Sequence, residues 1–301
     1  MMSRSRIVGL RGSMVALVTP FREGRIDEGR FVGLCERQIR SGSAALVPCG
    51  TTGEAPTLSH TEQTQLIKLA VQASAGRVPV IAGAGSNCTA TSLAMVAEAE
   101  WLGADAVLCM VPYYNRPNQG GLFRHFETIQ ASTTLPVILY DVPARTGTAL
   151  SFETIVALSR LPNIVGIKDA SGDLVRANQL RSALSPDFLR LCGDDSLLPA
   201  HLALGSQGCI SVTANIAPSL CAEAHRAWDG GDLKRFESVT RQLEALNSAL
   251  FIESNPIPVK WALAQLGLIS GELRLPLTSL EDEHKAAVLL ALHSIVGAEA
   301  A

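Results

Sequence analysis

The sequence has no excess of charge of one sign and no long run of apolar residues. Its 25 lysines and arginines stand against 28 aspartates and glutamates, which gives a net charge of −3. A protein that binds nucleic acid or an anionic membrane surface would need a basic patch, and the basic residues here are scattered. A membrane-spanning helix would need about 20 consecutive apolar residues. We therefore expect neither nucleic acid nor a membrane among the partners of this protein.

Cysteine and histidine pairs at metal-binding or redox spacing are also missing. The seven cysteines are odd in number and form no C-x-x-C motif, and several lie within apolar runs such as AVLCM (106–110). The six histidines are isolated from one another, so no set of metal ligands can be recognised. The amino-terminal stretch MMSRSRIVGLRG is too polar for the core of a secretory signal. We expect buried, reduced thiols, no metal and a cytoplasmic location.

What the sequence does contain is a regular alternation of strand-like and helix-like segments. Eight apolar runs of strand length occur at residues 14–18, 44–48, 78–82, 106–110, 136–140, 164–168, 188–192 and 209–213. Segments with helical periodicity lie between them, for example at 27–42, 59–74 and 91–103. Parallel strands require a long crossover, which is usually a helix, and eight such units are typical of a barrel of ~250 residues. The pattern predicts an α/β fold of the (β/α)8 TIM-barrel type, with an open doubly wound sheet as the alternative.

The strand-like runs end after residue 215. Helical segments are predicted from there on, at residues 217–230, 232–253, 256–267 and 279–297. We therefore predict a barrel at residues 1–218 and a C-terminal helical appendage at 219–301, packed on the barrel as one structural unit.

In a barrel of this type, functional residues collect at the carboxyl ends of the strands. Polar segments stand at five of these ends: GTTGE (50–54), VPYYNRP (111–117), YDVPARTG (140–147), KDASGD (168–173) and SVTAN (211–215). All three tyrosines of the chain and one of its few lysines lie in these segments. The first segment could present backbone N–H groups to a carboxylate or phosphate, or it could be a plain turn.

Lys168 is unusual because it ends the apolar run IVGIK. Alternation places Gly166 and Lys168 on one face of the strand and Asp169 on the other. Tyr140 ends the preceding strand, and neighbouring strands lie ~4.8 Å apart, so both side chains could enter one cavity. Burial there would disfavour the charged ammonium form, and a neutral amine can form a Schiff base with a carbonyl substrate. A tyrosine beside it could transfer protons. An ion-paired or surface lysine is the alternative.

Together, GTTGE, PYYNRP, YDVPARTG, GIKDASGD and ISVTAN resemble the motifs of the pyruvate-dependent class I aldolases, a family of (β/α)8 barrels. The resemblance extends from about Ser13 to the final helix and includes LFIESNPIPVKWALAQLGL (250–268). The chain is most similar to members that condense pyruvate with L-aspartate 4-semialdehyde to 4-hydroxy-tetrahydrodipicolinate, in lysine and diaminopimelate biosynthesis. The resemblance implies a lyase that needs no cofactor, since the lysine imine with pyruvate is itself the electron sink.

The resemblance also implies catalytic roles. Lys168 would form the Schiff base, and Tyr140, Thr51 and Tyr114 would form a proton relay. Tyr114 would complete the site of a neighbouring subunit across a tight dimer. Two such dimers would build a homotetramer.

Four further residues are implied to bind substrate. Thr52 would hold the carboxylate of pyruvate, and Arg145 would bind the carboxylate of the aldehyde. The carbonyl of Ile210 would face the lysine, and Gly193 would line the pocket.

The sequence departs from the family pattern at a few positions. Asp141 and Asp169 stand where many members have asparagine and glutamate. Members inhibited by L-lysine use a glutamate and a histidine that are replaced here by Thr91 and Gln63, although His60, Asn87 and Tyr113 remain. We therefore expect weak or no feedback inhibition by L-lysine.

Two other functions remain open at this point. One is a pyruvate-forming lyase or aldolase acting on a sugar acid, such as N-acetylneuraminate. Arg145 argues against it, because a guanidinium group matches a carboxylate better than a polyol. The other is a catalytically silent paralogue that binds pyruvate. The joint presence of Lys168, Tyr140, Tyr114 and Thr51 argues against that function, since a silent protein has no need of a proton relay.

Overall fold

The computed structural model describes Ile7 and residues 10–299. Most of the stretch MMSRSRIVG and the last two residues of the predicted C-terminal appendage (219–301) lie outside the described residues. In chain order the strands are β1 (Gly12–Ala16), β2 (Phe21–Arg22), β3 (Arg25–Ile26), β4 (Ala45–Val47), β5 (Ile81–Gly83), β6 (Ala106–Met110), β7 (Val137–Asp141), β8 (Ile164–Asp169), β9 (Leu189–Cys192) and β10 (Gly208–Ser211).

The helices alternate with these strands. They are α1 (Glu28–Arg40), α2 (His60–Ser74), α3 (Thr89–Trp101), α4 (Gln119–Ala131), α5 (Pro143–Thr146), α6 (Phe152–Leu158), α7 (Leu174–Ala183), α8 (Leu198–Ala203), α9 (Pro218–Asp229), α10 (Leu233–Ala249), α11 (Ile257–Gln265) and α12 (Asp282–Glu299).

Eight of the strands form one sheet in the order β4–β1–β10–β9–β8–β7–β6–β5, and β2 and β3 form a separate antiparallel pair. Neighbours in the sheet are also neighbours in chain order, apart from β1, which pairs with both β4 and the last strand, β10. This order is that of a (β/α)8 barrel, whereas an open doubly wound sheet reverses its strand order partway. The predicted fold class is confirmed, and each predicted strand is present with bounds within about three residues. The small β2–β3 hairpin was not predicted.

Helix boundaries follow from local sequence signals. Ser59 accepts a hydrogen bond from the backbone N–H of Glu62, whose carboxylate accepts one from the backbone N–H of Ser59. This reciprocal capping box satisfies donors that the first turn of α2 leaves free. Gly42 and Gly103 follow α1 and α3 with φ of +88° and +84°. Glycine takes this left-handed conformation without the steric cost that a Cβ brings.

By their internal contacts the residues group into two compact units. Unit I contains residues 79–210 together with the described residues before Gly12, and unit II contains residues 12–78 and those from 211 onward. In unit II, α9 packs on β1 and α10, and α12 packs on α10. In unit I, the parallel strands β5 to β9 are joined by register pairs along their length. The predicted division at residue 218 stays a prediction.

The seven cysteines lie within the described residues and are free thiols. Six of them are buried, whereas Cys88 is exposed, so the expectation of buried thiols is wrong at that position. No described helix has the length and apolar character needed to cross a membrane.

Candidate active site

Lys168 and Tyr140 lie side by side at the carboxyl ends of β8 and β7. They are register partners of the two parallel strands, so both side chains leave the sheet on the same face. Lys168 Nζ lies 4.2 Å from the centroid of the Tyr140 ring. Each residue is only 6% exposed. The lysine therefore has a phenol as its immediate neighbour and little contact with solvent.

Gly166 lies two residues before Lys168 on the same face of β8, at a position where the neighbouring strand leaves no room for a side chain. A Cβ at this position would lie 2.6 Å from Cβ of Leu189 and 2.7 Å from its carbonyl oxygen. Such distances are shorter than van der Waals contact allows. Glycine thus lets β9 approach β8 directly below the lysine.

Asp141 and Asp169 follow Tyr140 and Lys168 and extend to the opposite face. They are register partners too, and both contact the guanidinium group of Arg176 from α7. Nη1 donates to Asp141 Oδ2 at 2.6 Å, and Nη2 donates to Asp169 Oδ1 at 2.7 Å. Burial raises the pKa of Asp141 above its ordinary value, although Arg176 opposes the shift. Burial works against the charge of Arg176, but the two carboxylates raise its pKa.

The other predicted site residues of unit I occupy different surroundings. Arg145 is exposed in the last turn of α5. Tyr114 is 88% exposed on the loop after β6, with φ of +71°. Ile210 is buried in β10. Gly193 follows β9, and its N–H donates to the carbonyl of Asp169 at 2.8 Å.

Thr51 and Thr52 belong to unit II, in the turn after β4. Gly53 and Ala55 donate their N–H groups to the Gly50 carbonyl, which closes the turn. Thr52 is 2% exposed, and its hydroxyl oxygen accepts a hydrogen bond from Asn255 Nδ2 at 2.9 Å. The turn is therefore held from within unit II by the NPIP segment (255–258).

Glu54 ends this turn in a left-handed conformation, with φ of +54°. Its carboxylate forms an ion pair with Lys260, and both side chains are fully buried. Lys260 Nζ also donates to the Thr19 carbonyl at 2.8 Å and lies 4.3 Å from the centroid of the Phe21 ring. Arg274 donates its backbone N–H to the second carboxylate oxygen of Glu54 at 3.1 Å. Burial lowers the pKa of Lys260, while Glu54 acts in the opposite direction.

Sequence reasoning missed the roles of Arg176 and Lys260. Lys260 lies near the start of the predicted helix at 256–267, where nothing in the local pattern marks it as buried, yet it is a fully buried cation. A signal for Arg176 was available, since two aspartates directly follow the two strand-end residues and need a counter-charge on that side. Nothing in the local pattern identified which arginine supplies it. Among the described residues no group of histidine, cysteine and acidic side chains could hold a metal ion.

Comparisons with known proteins agree with this architecture over nearly the whole chain. The profile of the dihydrodipicolinate synthetase family matches residues 9–295. The chain is 52% identical over 280 residues to the 4-hydroxy-tetrahydrodipicolinate synthase of Hyphomonas neptunium, covering 92% of this chain and 95% of that protein. It is 48% identical over 282 residues to the synthase of Phenylobacterium zucineum, covering 94% and 96%. The chain therefore belongs to the dihydrodipicolinate synthetase family.

Solved structures show the same fold. The 4-hydroxy-tetrahydrodipicolinate synthase of Methylacidiphilum fumariolicum superposes with a TM-score of 0.94 at 40% identity, covering 96% of this chain and 98% of that one. The chloride-inhibited dihydrodipicolinate synthase of Acinetobacter baumannii, complexed with pyruvate, superposes with a TM-score of 0.92 at 44% identity, covering 95% and 98%.

Proposed function

We propose that this protein condenses pyruvate with L-aspartate 4-semialdehyde to give 4-hydroxy-tetrahydrodipicolinate, in lysine and diaminopimelate biosynthesis. The observation that carries the proposal is the buried Lys168 beside Tyr140 at the ends of two parallel strands. Relatives named as this synthase, at 52% and 48% identity, support it. So does the pyruvate bound in the solved structure from A. baumannii.

The first half of the reaction needs a neutral amine. Lys168 Nζ attacks the keto carbon of pyruvate, and the carbinolamine loses water to form an imine, which is protonated. Loss of a proton from the methyl carbon then gives an enamine, since the iminium accepts the electron pair. The iminium formed on Lys168 is the electron sink, so the reaction requires no metal or organic cofactor.

The second half forms the carbon–carbon bond and releases the lysine. The enamine carbon attacks the aldehyde carbon of the semialdehyde, and the new alkoxide takes up a proton. The amino group of the semialdehyde then attacks the imine carbon and displaces Lys168 as the ring closes. Overall, the two substrates give the cyclic product and one water.

Tyr140 is the residue we assign to proton transfer at Lys168. Its ring lies against Nζ, and a phenol can give and take a proton during carbinolamine collapse. By resemblance to the family, we assign Thr51 and Tyr114 to the same relay, Thr52 to the pyruvate carboxylate and Arg145 to the aldehyde carboxylate. Ile210 and Gly193 are assigned to the lining of the pocket.

We further propose a homotetramer of tight dimers, in the cytoplasm. The exposure of Tyr114 supports the dimer, because an aromatic side chain left in solvent is available to a second copy. We propose that residues 219–301 form an appendage to the barrel and act with it as one structural unit.

Borohydride trapping tests the proposed function. Incubation with pyruvate and sodium borohydride should add one reduced pyruvate to Lys168, as measured by peptide mass spectrometry. No adduct in a folded sample would favour a silent paralogue. Two turnover assays distinguish the substrates. The protein should be active with pyruvate plus aspartate semialdehyde (the first assay) and inactive with N-acetylneuraminate (the second). Activity in the second alone would make the protein a sugar-acid lyase.

A further inference from the structure

We infer that Arg176 is a positioning residue for the Lys168–Tyr140 pair. The inference rests on the proposed function, because it concerns the geometry of imine formation. Arg176 does not touch the reacting side chains. It acts through Asp141 and Asp169, which are their neighbours in the chain.

The contacts of Arg176 join three separate segments of unit I. The guanidinium donates to Asp141 at the end of β7, to Asp169 at the end of β8 and, from Nη1 at 2.9 Å, to the carbonyl of Leu150. The backbone N–H of Leu150 in turn donates to Asp141 Oδ1 at 3.3 Å. One side chain therefore holds two strand ends and the segment that follows α5.

The position of Arg176 is itself fixed. Asp173 caps α7, and its carboxylate accepts a hydrogen bond from the backbone N–H of Arg176 at 2.9 Å. The side chain of Arg176 is 9% exposed, and those of its two carboxylate partners are 0% and 7% exposed. Charge-assisted hydrogen bonds are stronger in such a setting than in water. The guanidinium group thus fixes the position of the end of β7 along the strand direction relative to the end of β8.

The backbone transmits this restraint to the opposite face. Tyr140 precedes Asp141, and Lys168 precedes Asp169, so a shift of either aspartate moves the preceding Cα. The Ala170 N–H also donates to the Asp141 carbonyl at 2.9 Å. Misplacement of reacting groups by about 1 Å can cost roughly 100-fold in rate. A small slide of β7 against β8 would therefore slow the attack of Nζ.

Arginine suits this position better than lysine would. Its planar fork presents donors in fixed directions and reaches two carboxylates and a carbonyl at once. An ammonium group is a point charge on a flexible stem and cannot keep all three contacts at these distances. Replacement by lysine should keep the charge of the cluster and lose the alignment.

The test compares Arg176→Lys and Arg176→Met with the wild type in the borohydride assay. We expect the rate of imine formation at saturating pyruvate to fall about 10-fold in Arg176→Lys and about 100-fold in Arg176→Met. The half-saturating pyruvate concentration should change less than the rate, because neither variant alters the residues assigned to the pyruvate carboxylate. Circular dichroism and the unfolding temperature establish that each sample is folded at the assay temperature.

Arg190→Met is the matched control. Arg190 lies on β9, register-paired with Ile167, and donates to the carbonyls of Leu204 and Gly205. It is a partly buried arginine of the same unit that holds a loop, so its loss should leave the imine rate within about twofold of wild type. An equal loss of rate in this variant would mean that general stability is responsible and would overturn the inference.

The outcomes separate the two proposals. A wild type that forms no adduct would overturn the proposed function, and the role of Arg176 with it. A wild type that is trapped, with Arg176→Lys trapped at the same rate, would overturn the positioning role alone. If Arg176→Met does not fold, Arg176→Lys decides the question.

Discussion

Tyr140 and Lys168 face each other across two neighbouring parallel strands, with the lysine nitrogen 4.2 Å from the centre of the phenol ring. The same register pairs Asp141 with Asp169 on the far side of the sheet. Because side chains alternate along a strand, these two adjacent pairs lie on opposite faces of the sheet. Lys168 and Tyr140 form the pair that we propose for chemistry, and the other pair is bound by the guanidinium group of Arg176.

Lys168→Ala should abolish both borohydride trapping and turnover, because the variant has no amine at the strand end. Mass spectrometry of the intact protein after treatment with pyruvate and borohydride measures the first effect. Lys68→Ala, which removes an exposed lysine of α2, is the control and should be trapped normally. An adduct that persists in Lys168→Ala would mean that another amine forms the imine.

Tyr140→Phe should slow turnover by roughly 10²–10⁴-fold, which is typical of the loss of an acid–base group. The ring and its packing remain, so the unfolding temperature should change little. Steady-state assays with both substrates measure the effect, with Tyr113→Phe as the control. A rate within a few-fold of wild type would show that the Tyr140 hydroxyl transfers no proton in the slow step.

Lys260→Met should destabilise the protein by about 3–5 kcal/mol, because it leaves the buried Glu54 carboxylate without its partner. Urea unfolding measures the change. Lys260→Met combined with Glu54→Gln should recover part of the loss, since the second change removes the uncompensated charge. A single variant as stable as the wild type would show that Glu54 is neutralised by other means.

The free energy of unfolding should fall as the pH drops through the range of His225. Burial lowers the pKa of His225 to about 4, whereas an unfolded histidine has an ordinary value of ~6.5. At pH values between these two, the histidine is protonated in the unfolded chain and neutral in the folded protein. The contribution of His225 to the free energy of unfolding is therefore fully present above pH ~6.5 and is lost as the pH falls towards 4. The loss attributable to this residue should reach about 3 kcal/mol at the acid end.

His225→Gln removes this titration and is the variant to compare with the wild type. Urea unfolding should show that the free energy of unfolding of the wild type falls relative to that of His225→Gln as the pH drops from 7 to 5. A difference that stays constant over that range would show that His225 titrates alike in both states.

L-Lysine should leave activity unchanged at micromolar concentrations. By resemblance to the family, Thr91 and Gln63 stand where lysine-inhibited members have a glutamate and a histidine. The side-chain amide of Gln63 donates to the Ala55 carbonyl at 3.1 Å. A steady-state assay with added L-lysine checks this expectation. Inhibition in the micromolar range would mean that other residues supply the missing contacts.

The sequence alone determined the succession of elements and the strand end that carries the lysine. Eight apolar runs separated by helical segments, a capping box at Ser59 and glycine stops such as Gly42 are local signals, and their physical causes act within a few residues. Alternation also determined that Lys168 and Asp169 point to opposite faces. These features need no knowledge of distant contacts.

Only the tertiary structure decided which charged groups meet in the interior. Arg176 contacts Asp141 across 35 positions of the chain, and Lys260 contacts Glu54 across 206. A buried charge requires a partner, but composition and periodicity do not say which of many distant arginines, lysines and carboxylates will be brought together. The packing of strands and helices makes that choice, and it also places Lys168 next to Tyr140.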